Sequence, residues 1–202
     1  QRAWLERMRA IGGAEPLATL ELDASRYGML MRKFQAEVFR REVPQGGYVM
    51  SVIRDFPLAA MGLLDCLDQP KWPAIDWAWQ RDTICLLRTE DDRRSFASGE
   101  RLQGSLWVSH HGVKAIARGK LEVTVNGKTV RQIRSQDAGT ISSWLDLDLP
   151  LPRVDRQPER VIVRARLKSG VGDFRNEWPV WVVPAAKAPA PGLVWVEPGL
   201  AT

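Results

Sequence analysis

The chain has 202 residues, a hydrophobic fraction of 45% and a net charge of +5 at neutral pH. This hydrophobic fraction is typical of folded domains and excludes a globally disordered chain. No stretch has the pattern of a signal peptide or of a membrane-spanning helix. We expect no membrane partner.

The positive charge is unevenly distributed. Residues 1–82 contain 11 Lys/Arg and 11 Asp/Glu, whereas residues 83–202 contain 18 and 13. A basic half can indicate a nucleic-acid partner. In residues 161–168, however, Arg164, Arg166 and Lys168 alternate with apolar residues. Such alternation is typical of a solvated strand face, and we expect no nucleic-acid partner.

Three helical segments are predicted before residue 42. Apolar residues at helical spacing indicate the first, around residues 4–11, which Gly12 and Gly13 end. Residues 17–22 suit a short second piece, and a longer helix is predicted over residues 23–41, capped by Asp23 or Ser25. Its apolar stripe, which predicts core packing, consists of Tyr27, Leu30, Met31, Phe34 and Val38. Glu37 and Arg41 have the spacing of an i,i+4 ion pair.

Residues 48–53 predict a strand buried on both faces. Gly46 and Gly47 precede this apolar and β-branched run, and Pro57 follows it. A strand of this kind belongs to a parallel sheet covered by helices, so helix, loop and strand together indicate one α/β unit. Arg54 and Asp55 come where the strand must end, where polar residues of α/β enzymes face the ligand. The alternative is a local ion pair, and we leave both interpretations open.

The next segment contains an apolar run at residues 58–65, then Trp72 between two prolines, then a predicted short helix over residues 73–80. The proline-bracketed Trp72 is our candidate for an exposed aromatic platform that stacks on sugar rings. Four other tryptophans fall on predicted strands, where a large aromatic side chain usually fills the core. They are Trp107, Trp144, Trp178 and Trp181.

From Thr83 onward the hydrophobic period changes to two. Strands are predicted over residues 83–88, 101–110, 120–125, 129–134, 144–149, 159–167 and 178–183. Asn126-Gly127 is the strongest hairpin signal. Seven short strands with regular turns indicate an immunoglobulin-like β-sandwich. Residues 185–192 have the composition of a linker, and residues 193–196 resemble the start of a further strand.

The residues of classical catalytic chemistry are sparse. Cys66 and Cys85 form no zinc-binding spacing. His110 and His111 are neighbours on a strand and point to opposite faces, so we expect a strand end at Gly112 rather than a metal site. The sequence contains no phosphate-binding glycine loop and no nucleophile elbow. We therefore expect no metal and no cofactor.

Three segments together resemble family-two glycoside hydrolases. Residues 47–57 with the following Gly62-Leu63-Leu64-Asp65 are similar to the eighth strand that closes the (β/α)8 barrel of that family. Residues 107–112 resemble an early strand of its sandwich domain, and residues 176–184, beginning Asn176-Glu177-Trp178, are similar to the end of that sandwich. The segments occur in the family's order. Leu58-Ala59-Ala60 departs from the usual Gly-Gln-Gly, and so the loop that borders the site is expected to differ.

The resemblance implies a domain order. Residues 1–82 would be the C-terminal segment of a TIM-barrel glycosidase domain, residues 83–184 the sandwich, and residues 185–202 a linker into a further segment. It implies a retaining mechanism on β-linked carbohydrates, with both catalytic glutamates upstream of Gln1. We nominate no catalytic residue in this chain.

The expected contacts with the carbohydrate substrate are Arg54, Asp55 and Trp72. The remainder of the parent polypeptide is the expected protein partner, and a periplasmic or secreted location is favoured. Two alternatives stay open. An exposed line of aromatic residues on one sandwich face would favour a non-catalytic carbohydrate-binding module, and burial of all tryptophans would favour a structural spacer.

Overall fold

The structure is a computed structural model, and it describes residues 6–7, 10, 15–49, 51–56, 61–72 and 79–185. One long helix precedes eight strands. The elements are α1 (Glu15–Glu42), β1 (Thr83–Thr89), β2 (Ser95–Ala97), β3 (Arg101–His110), β4 (Ile116–Val125), β5 (Lys128–Gln136), β6 (Thr140–Pro150), β7 (Glu159–Ser169) and β8 (Gly172–Val183). The chain is thus β-rich in the part that the structure describes.

The strands form two sheets that share one core. The first sheet has the order β1-β3-β6 and the second the order β2-β8-β7-β4-β5. All pairings are antiparallel except that of β2 with β8. Alternate residues of both sheets point into a common apolar cluster, which includes Leu106 and Val108 from β3 and Val163 and Leu167 from β7. Burial of these side chains is the main force that holds the sheets together.

The strand predictions from period two are confirmed, although most strands extend further than the apolar pattern. β4 begins four residues earlier than predicted, and β8 begins six residues earlier. The hairpin between β4 and β5 lies at Asn126-Gly127, where both residues have positive φ angles of 46° and 73°. These angles suit the tight turn that asparagine and glycine favour. The sequence did not reveal β2, because three residues are too few to show a period.

The helix differs from its prediction in extent and in orientation. Residues 15–42 form one helix, so the predicted break near residue 22 is wrong, and Asp23 and Ser25 lie inside the helix rather than at a cap. The predicted apolar stripe is largely exposed, with 65% of Tyr27, 39% of Leu30 and 38% of Met31 accessible. The physical reason is that a different, polar face of the helix packs on the β-sheets.

The buried strand predicted over residues 48–53 is not present among the described residues of that segment. Val49 is 90% exposed and Ile53 is 62% exposed. Directly after the segment, Arg54 forms an isolated bridge with Leu64, and the Ile53 carbonyl accepts hydrogen bonds from the amides of Leu63 and Leu64. A buried strand needs neighbouring strands on both sides to satisfy its backbone groups, and neither sheet of the described chain includes this segment. The segment is apolar in composition, but the burial that this composition predicts does not occur in the described chain.

Several predictions fall outside the described residues. They are most of the first helix at residues 4–11, Met50 of the predicted strand, residues 58–60 of the apolar run at 58–65, residues 73–78 of the helix at 73–80 and the strand at 193–196. Among the described helices, none combines the length and the apolar character that crossing a bilayer requires.

Candidate functional site

The polar face of α1 meets the β-sheets at a buried carboxylate. Glu37 is only 3% exposed. Its Oε1 accepts a hydrogen bond from Asn176 Nδ2 at 2.8 Å, and its Oε2 accepts one from Trp178 Nε1 at 2.7 Å. Lys33 Nζ lies 2.7 Å from Oε1 and 5.0 Å from the centre of the Trp178 ring. Four groups from α1 and β8 thereby satisfy one another, as buried charges require.

The next turn of the helix continues this contact. Arg40 donates from Nε and Nη2 to Ser109 Oγ at 3.1 and 3.0 Å, and from Nη1 and Nη2 to the carbonyls of Arg81 and Asp82, each at 2.8 Å. Burial lowers the pKa of Arg40, and the charge of Asp82 and the nearby Tyr48 only partly offset this effect. The guanidinium still carries a proton at neutral pH, because arginine starts from so high a value.

Side chains from α1, from the segment after β1 and from β8 cover the free edge of β1. Arg41 donates to the carbonyl of Leu87 at 3.2 Å, and Arg94 donates to the same carbonyl at 3.3 Å. Asn176 donates to the carbonyl of Cys85 at 2.8 Å. Unpaired strand edges invite association, so these bonds protect an otherwise open edge of the first sheet. We call the set of contacts that Lys33, Glu37, Arg40 and Arg41 make with the sheets the helix–sheet joint.

Sequence reasoning missed the helix–sheet joint. The expected Glu37–Arg41 pair does not form, because Glu37 binds Lys33 and Arg41 binds Glu42 and Asp92. The signal was present in the sequence, since positions 33, 37, 40 and 41 lie along one helical stripe. That stripe lies roughly 100° round the helix axis from the apolar stripe, at 3.6 residues per turn. The apolar stripe predicts the packing face, and a polar stripe by itself does not identify the residues that it contacts.

Asp55 is held in a loop that folds back on itself. Its Oδ1 accepts hydrogen bonds from the Gly62 amide at 2.6 Å and from Lys71 Nζ at 2.8 Å. Desolvation alone would raise the pKa of Asp55, but the bonds from Lys71 and Gly62 and the positive charges nearby outweigh it and hold the pKa below its usual value. A Cβ on Gly62 would lie 2.4 Å from the Asp55 amide nitrogen, so only glycine fits there.

The two other predicted substrate contacts lie in different surroundings. Arg54 is exposed and pairs with Asp68 at 3.1 Å. Trp72 is only 8% exposed and donates from Nε1 to the carbonyl of Ser25 at 3.2 Å, so the expected exposed platform is wrong. Arg54 and Asp55 point to different environments, as their adjacent positions on an extended segment require. The three residues do not form one open pocket in the described chain, and their contact with substrate stays a prediction.

The other tryptophans divide between core and surface. Trp144 and Trp178 are each 3% exposed, which confirms their prediction as core residues. Trp107 is half-buried and donates to Ser105 Oγ at 2.8 Å. Trp181 is 44% exposed on the outer face of β8, so its core assignment is wrong. No line of exposed tryptophans crosses either sheet within the described ranges.

His110 is the last residue of β3 and is buried, whereas His111 follows the strand and is exposed. His110 is 1% exposed, and its ring nitrogens lie 2.7 Å from Thr83 Oγ1 and 2.7 Å from the carbonyl of Lys114. A carbonyl can only accept, so Nε2 carries a proton and the ring has a structural role. His111 lines an open cleft of about 230 Å³ with Phe39, Arg40, Tyr48 and Asp82. Burial and the positive charge of Arg40 lower the pKa of His111.

Nucleophilic or metal chemistry has little support in this part of the protein. Burial, reinforced by the charge of Glu37, raises the pKa of Cys85 to about 12, so its thiol stays protonated and inert. Cys66 is exposed. Across the described ranges, no group of three or more His, Cys, Asp or Glu side chains is arranged to hold a metal ion.

No protein-family model and no curated protein matches the sequence. Among solved structures, the chain is similar to a calcium-binding mutant of Bacteroides uniformis beta-glucuronidase 2, with 13% identity over 65% of this chain and a TM-score of 0.30. It is also similar to a Bacteroides uniformis beta-glucuronidase, with 12% identity over 73% of this chain and a TM-score of 0.31. The chain spans 15% and 18% of the length of these two proteins. A likeness this weak carries no argument about function.

Proposed function

We propose that this chain is the C-terminal part of a family-two type glycoside hydrolase. In this proposal residues 1–82 complete the (β/α)8 catalytic barrel, and residues 83–184 form an immunoglobulin-like sandwich fixed to it. The parent enzyme hydrolyses β-linked carbohydrates by a retaining mechanism, which requires two carboxyl groups about 5 Å apart across the scissile bond. Both catalytic glutamates precede Gln1 in the parent polypeptide.

The helix–sheet joint carries this proposal. Two of the three segments that resemble the family meet at α1, because Ser109 binds Arg40 while Asn176 and Trp178 bind Glu37. The Asn-x-Trp spacing therefore has a physical reason. Residues two apart on a strand share a face, and here both donate to the same carboxylate. Residues that resemble a sandwich domain thus hold the helix that the proposal assigns to the end of a barrel.

Exposed apolar side chains give further support. They are concentrated in the segment before β1, which is the part assigned to the barrel. They are Tyr27, Leu30, Met31, Phe39, Val43, Val49, Ile53, Phe56, Met61 and Leu67. So many exposed apolar residues in one segment favour a second body of protein packed against it. In the proposal that body is the rest of the barrel, which also supplies the neighbours that residues 48–53 need to form a strand.

Labelling of the catalytic nucleophile tests the proposal. The polypeptide extended upstream of Gln1 is treated with a panel of activated 2-deoxy-2-fluoro-β-glycosides, which trap the glycosyl-enzyme intermediate of retaining enzymes. We expect a labelled glutamate upstream of Gln1 and no turnover of aryl β-glycosides by the 202-residue chain alone. A labelled residue within the chain would overturn the proposal, as would absence of both label and turnover in the extended polypeptide.

A structural role in a multidomain protein is the second candidate. It is favoured by the burial of four of the six tryptophans that the structure describes, which are Trp72, Trp79, Trp144 and Trp178. In that case the extended polypeptide would take no label, while the helix–sheet joint would still fix the helix to the sheets.

A further inference from the structure

The outer face of the second sheet carries most of the excess positive charge of the β-rich part. On β7 the inward residues are buried, while their neighbours point outward. The same alternation orients β4, β5 and β8. We call the outward side the basic face. Its basic residues are Lys120, Arg131, Arg160, Arg164, Arg166, Lys168 and Arg175, and its acidic residues are Glu122, Asp173 and Glu177.

The carboxylates do not neutralise this face. Glu122 is shared between Lys120 at 2.9 Å and Arg131 at 2.8 Å. Asp173 is shared between Arg166 at 2.5 Å and Arg175 at 3.7 Å. Glu122 and Asp173 therefore each leave one positive charge uncompensated in their groups, whereas Glu177 pairs with Arg164 alone at 3.4 Å. Hydrogen bonds from these basic partners hold the pKa values of Glu122 and Asp173 at about 2, so both carboxylates stay ionised and the charge of the face is constant across the neutral range.

The register places like charges directly opposite one another. Lys120 on β4 lies opposite Lys168 on β7, and Arg166 on β7 lies opposite Arg175 on β8. Like charges in directly opposed positions destabilise an antiparallel pair. The register also places Glu122 opposite Arg166, Asp173 opposite Lys168 and Glu177 opposite Arg164, so carboxylates of the face relieve part of this repulsion. An anion bound beside Lys120 and Lys168 would relieve more of it.

An exposed aromatic ring lies at one end of the same face. Trp181 on β8 is 44% exposed and lies opposite Arg160 on β7. An indole ring beside an arginine offers an apolar plane for the face of a sugar ring and a positive charge for its acidic substituent. The neighbouring strands lie about 4.8 Å apart, a spacing close to the length of one pyranose residue.

We infer that the basic face binds an acidic polysaccharide whose sugar residues carry carboxylates. Widely spaced carboxylates fit a face on which Glu122, Asp173 and Glu177 stand among the basic residues. A nucleic acid fits it less well, because its continuous phosphate backbone would pass close to these carboxylates. This inference goes beyond the proposed function and does not depend on it, since binding to this face requires no catalytic residue.

Affinity electrophoresis of the full chain through polygalacturonate tests the inference, with the fully methyl-esterified polymer as the neutral control. We expect retardation by polygalacturonate only, which weakens as ionic strength rises and stays constant between about pH 5 and about pH 8. Absence of retardation at low ionic strength would overturn the inference. Equal retardation by the esterified polymer, or tighter binding to polydeoxythymidylate, would also overturn it.

A matched pair of double variants locates the binding. Lys120→Gln with Lys168→Gln removes two charges from the basic face, and we expect binding about fivefold weaker from the loss of two exposed contacts. Arg26→Gln with Arg88→Gln removes the same charge from α1 and β1 and should leave the affinity unchanged. Removal of the Lys120–Lys168 repulsion should not lower the thermal midpoint, so a folding defect does not explain the loss. Equal effects of the two double variants would overturn the assignment to this face.

Discussion

Asp55 shows how a residue at a predicted site can have a structural role. Its Oδ1 accepts hydrogen bonds from the Gly62 amide and from the Lys71 ammonium, and the Asp55 amide donates to the carbonyl of Leu64 at 3.0 Å. These bonds close the loop between residues 55 and 71. Contact between Asp55 and a sugar remains a prediction for the parent enzyme, but in this chain the carboxylate holds the loop together.

We predict that Asp55→Asn opens this loop. The variant loses the charge-assisted bond with Lys71, which we expect to cost about 1–2 kcal/mol. Amide hydrogen exchange of Gly62 and Leu63 should then be about tenfold faster than in the wild type. Asp68→Asn is the matched control, because the Arg54–Asp68 pair is about 60% exposed and should contribute little. Unchanged exchange in Asp55→Asn would show that the ion pair does not hold the loop.

The effect of Asp55→Asn should depend on pH. The folded-state pKa of Asp55 lies below its unfolded value, so the carboxylate contributes stability above that unfolded value, about pH 4. The contribution is lost as the pH falls through the folded-state pKa. We expect the ratio of exchange rates between variant and wild type to be constant near neutral pH and to approach one in acid. A ratio that stays constant into acid would contradict this origin of the stability.

At the level of elements, α1 is attached to the sheets by polar contacts rather than by its apolar stripe. Glu37 accepts bonds from two residues of β8, and Arg40 and Arg41 bind β3, β1 and the segment before β1. Polar contacts depend on geometry, so they fix the position of the helix more narrowly than an apolar contact does. The apolar stripe is left accessible for a further contact.

We predict that Glu37→Gln releases α1 from the sheets. The glutamine oxygen can still accept one of the two hydrogen bonds from Asn176 and Trp178, but its NH2 group would face the other donor and cannot accept from it. The variant also loses the negative charge that pairs with Lys33. Breaking such a buried pair costs about 3–5 kcal/mol. Amides of residues 33–41 should exchange much faster in the variant, while those of β3 and β7 should keep their protection.

Glu42→Gln is the control for this prediction. Glu42 is 43% exposed and pairs with Arg41 at the end of the helix. Its replacement should change the exchange of α1 only slightly. If both variants behaved alike, or if the strands lost protection together with the helix in Glu37→Gln, the helix–sheet joint would not be the local attachment described above.

The sequence predicted the strands well because their signal is local. Alternation of buried and exposed residues marks β7, and Asn126-Gly127 marks the turn between β4 and β5. The helix–sheet joint was not predicted, because Glu37 and Asn176 are 139 residues apart and no local pattern pairs them. The prediction of a buried strand at residues 48–53 was wrong for a related reason. Their composition indicates burial, but burial depends on tertiary neighbours, and the described part of the chain leaves Val49 and Ile53 exposed.

At the level of the whole molecule, α1 presents two different surfaces. Its polar stripe is already bound to the β-sheets, while its apolar stripe and the loops that follow it remain exposed. A helix held in this way can connect two bodies and fix their relative orientation. The proposed function identifies the second body as the rest of a catalytic barrel.

Hydroxyl-radical footprinting of the 202-residue chain and of the polypeptide extended upstream of Gln1 tests whether a second body covers the apolar stripe of α1 and the loops that follow it. In the chain alone we expect rapid oxidation of Tyr27, Met31 and Met61, which are 65%, 38% and 54% exposed. In the extended polypeptide these three side chains should be protected, while Trp181 on the basic face should react at the same rate in both. Equal oxidation of all four side chains in the two polypeptides would contradict the account, because no second body would then cover the apolar stripe.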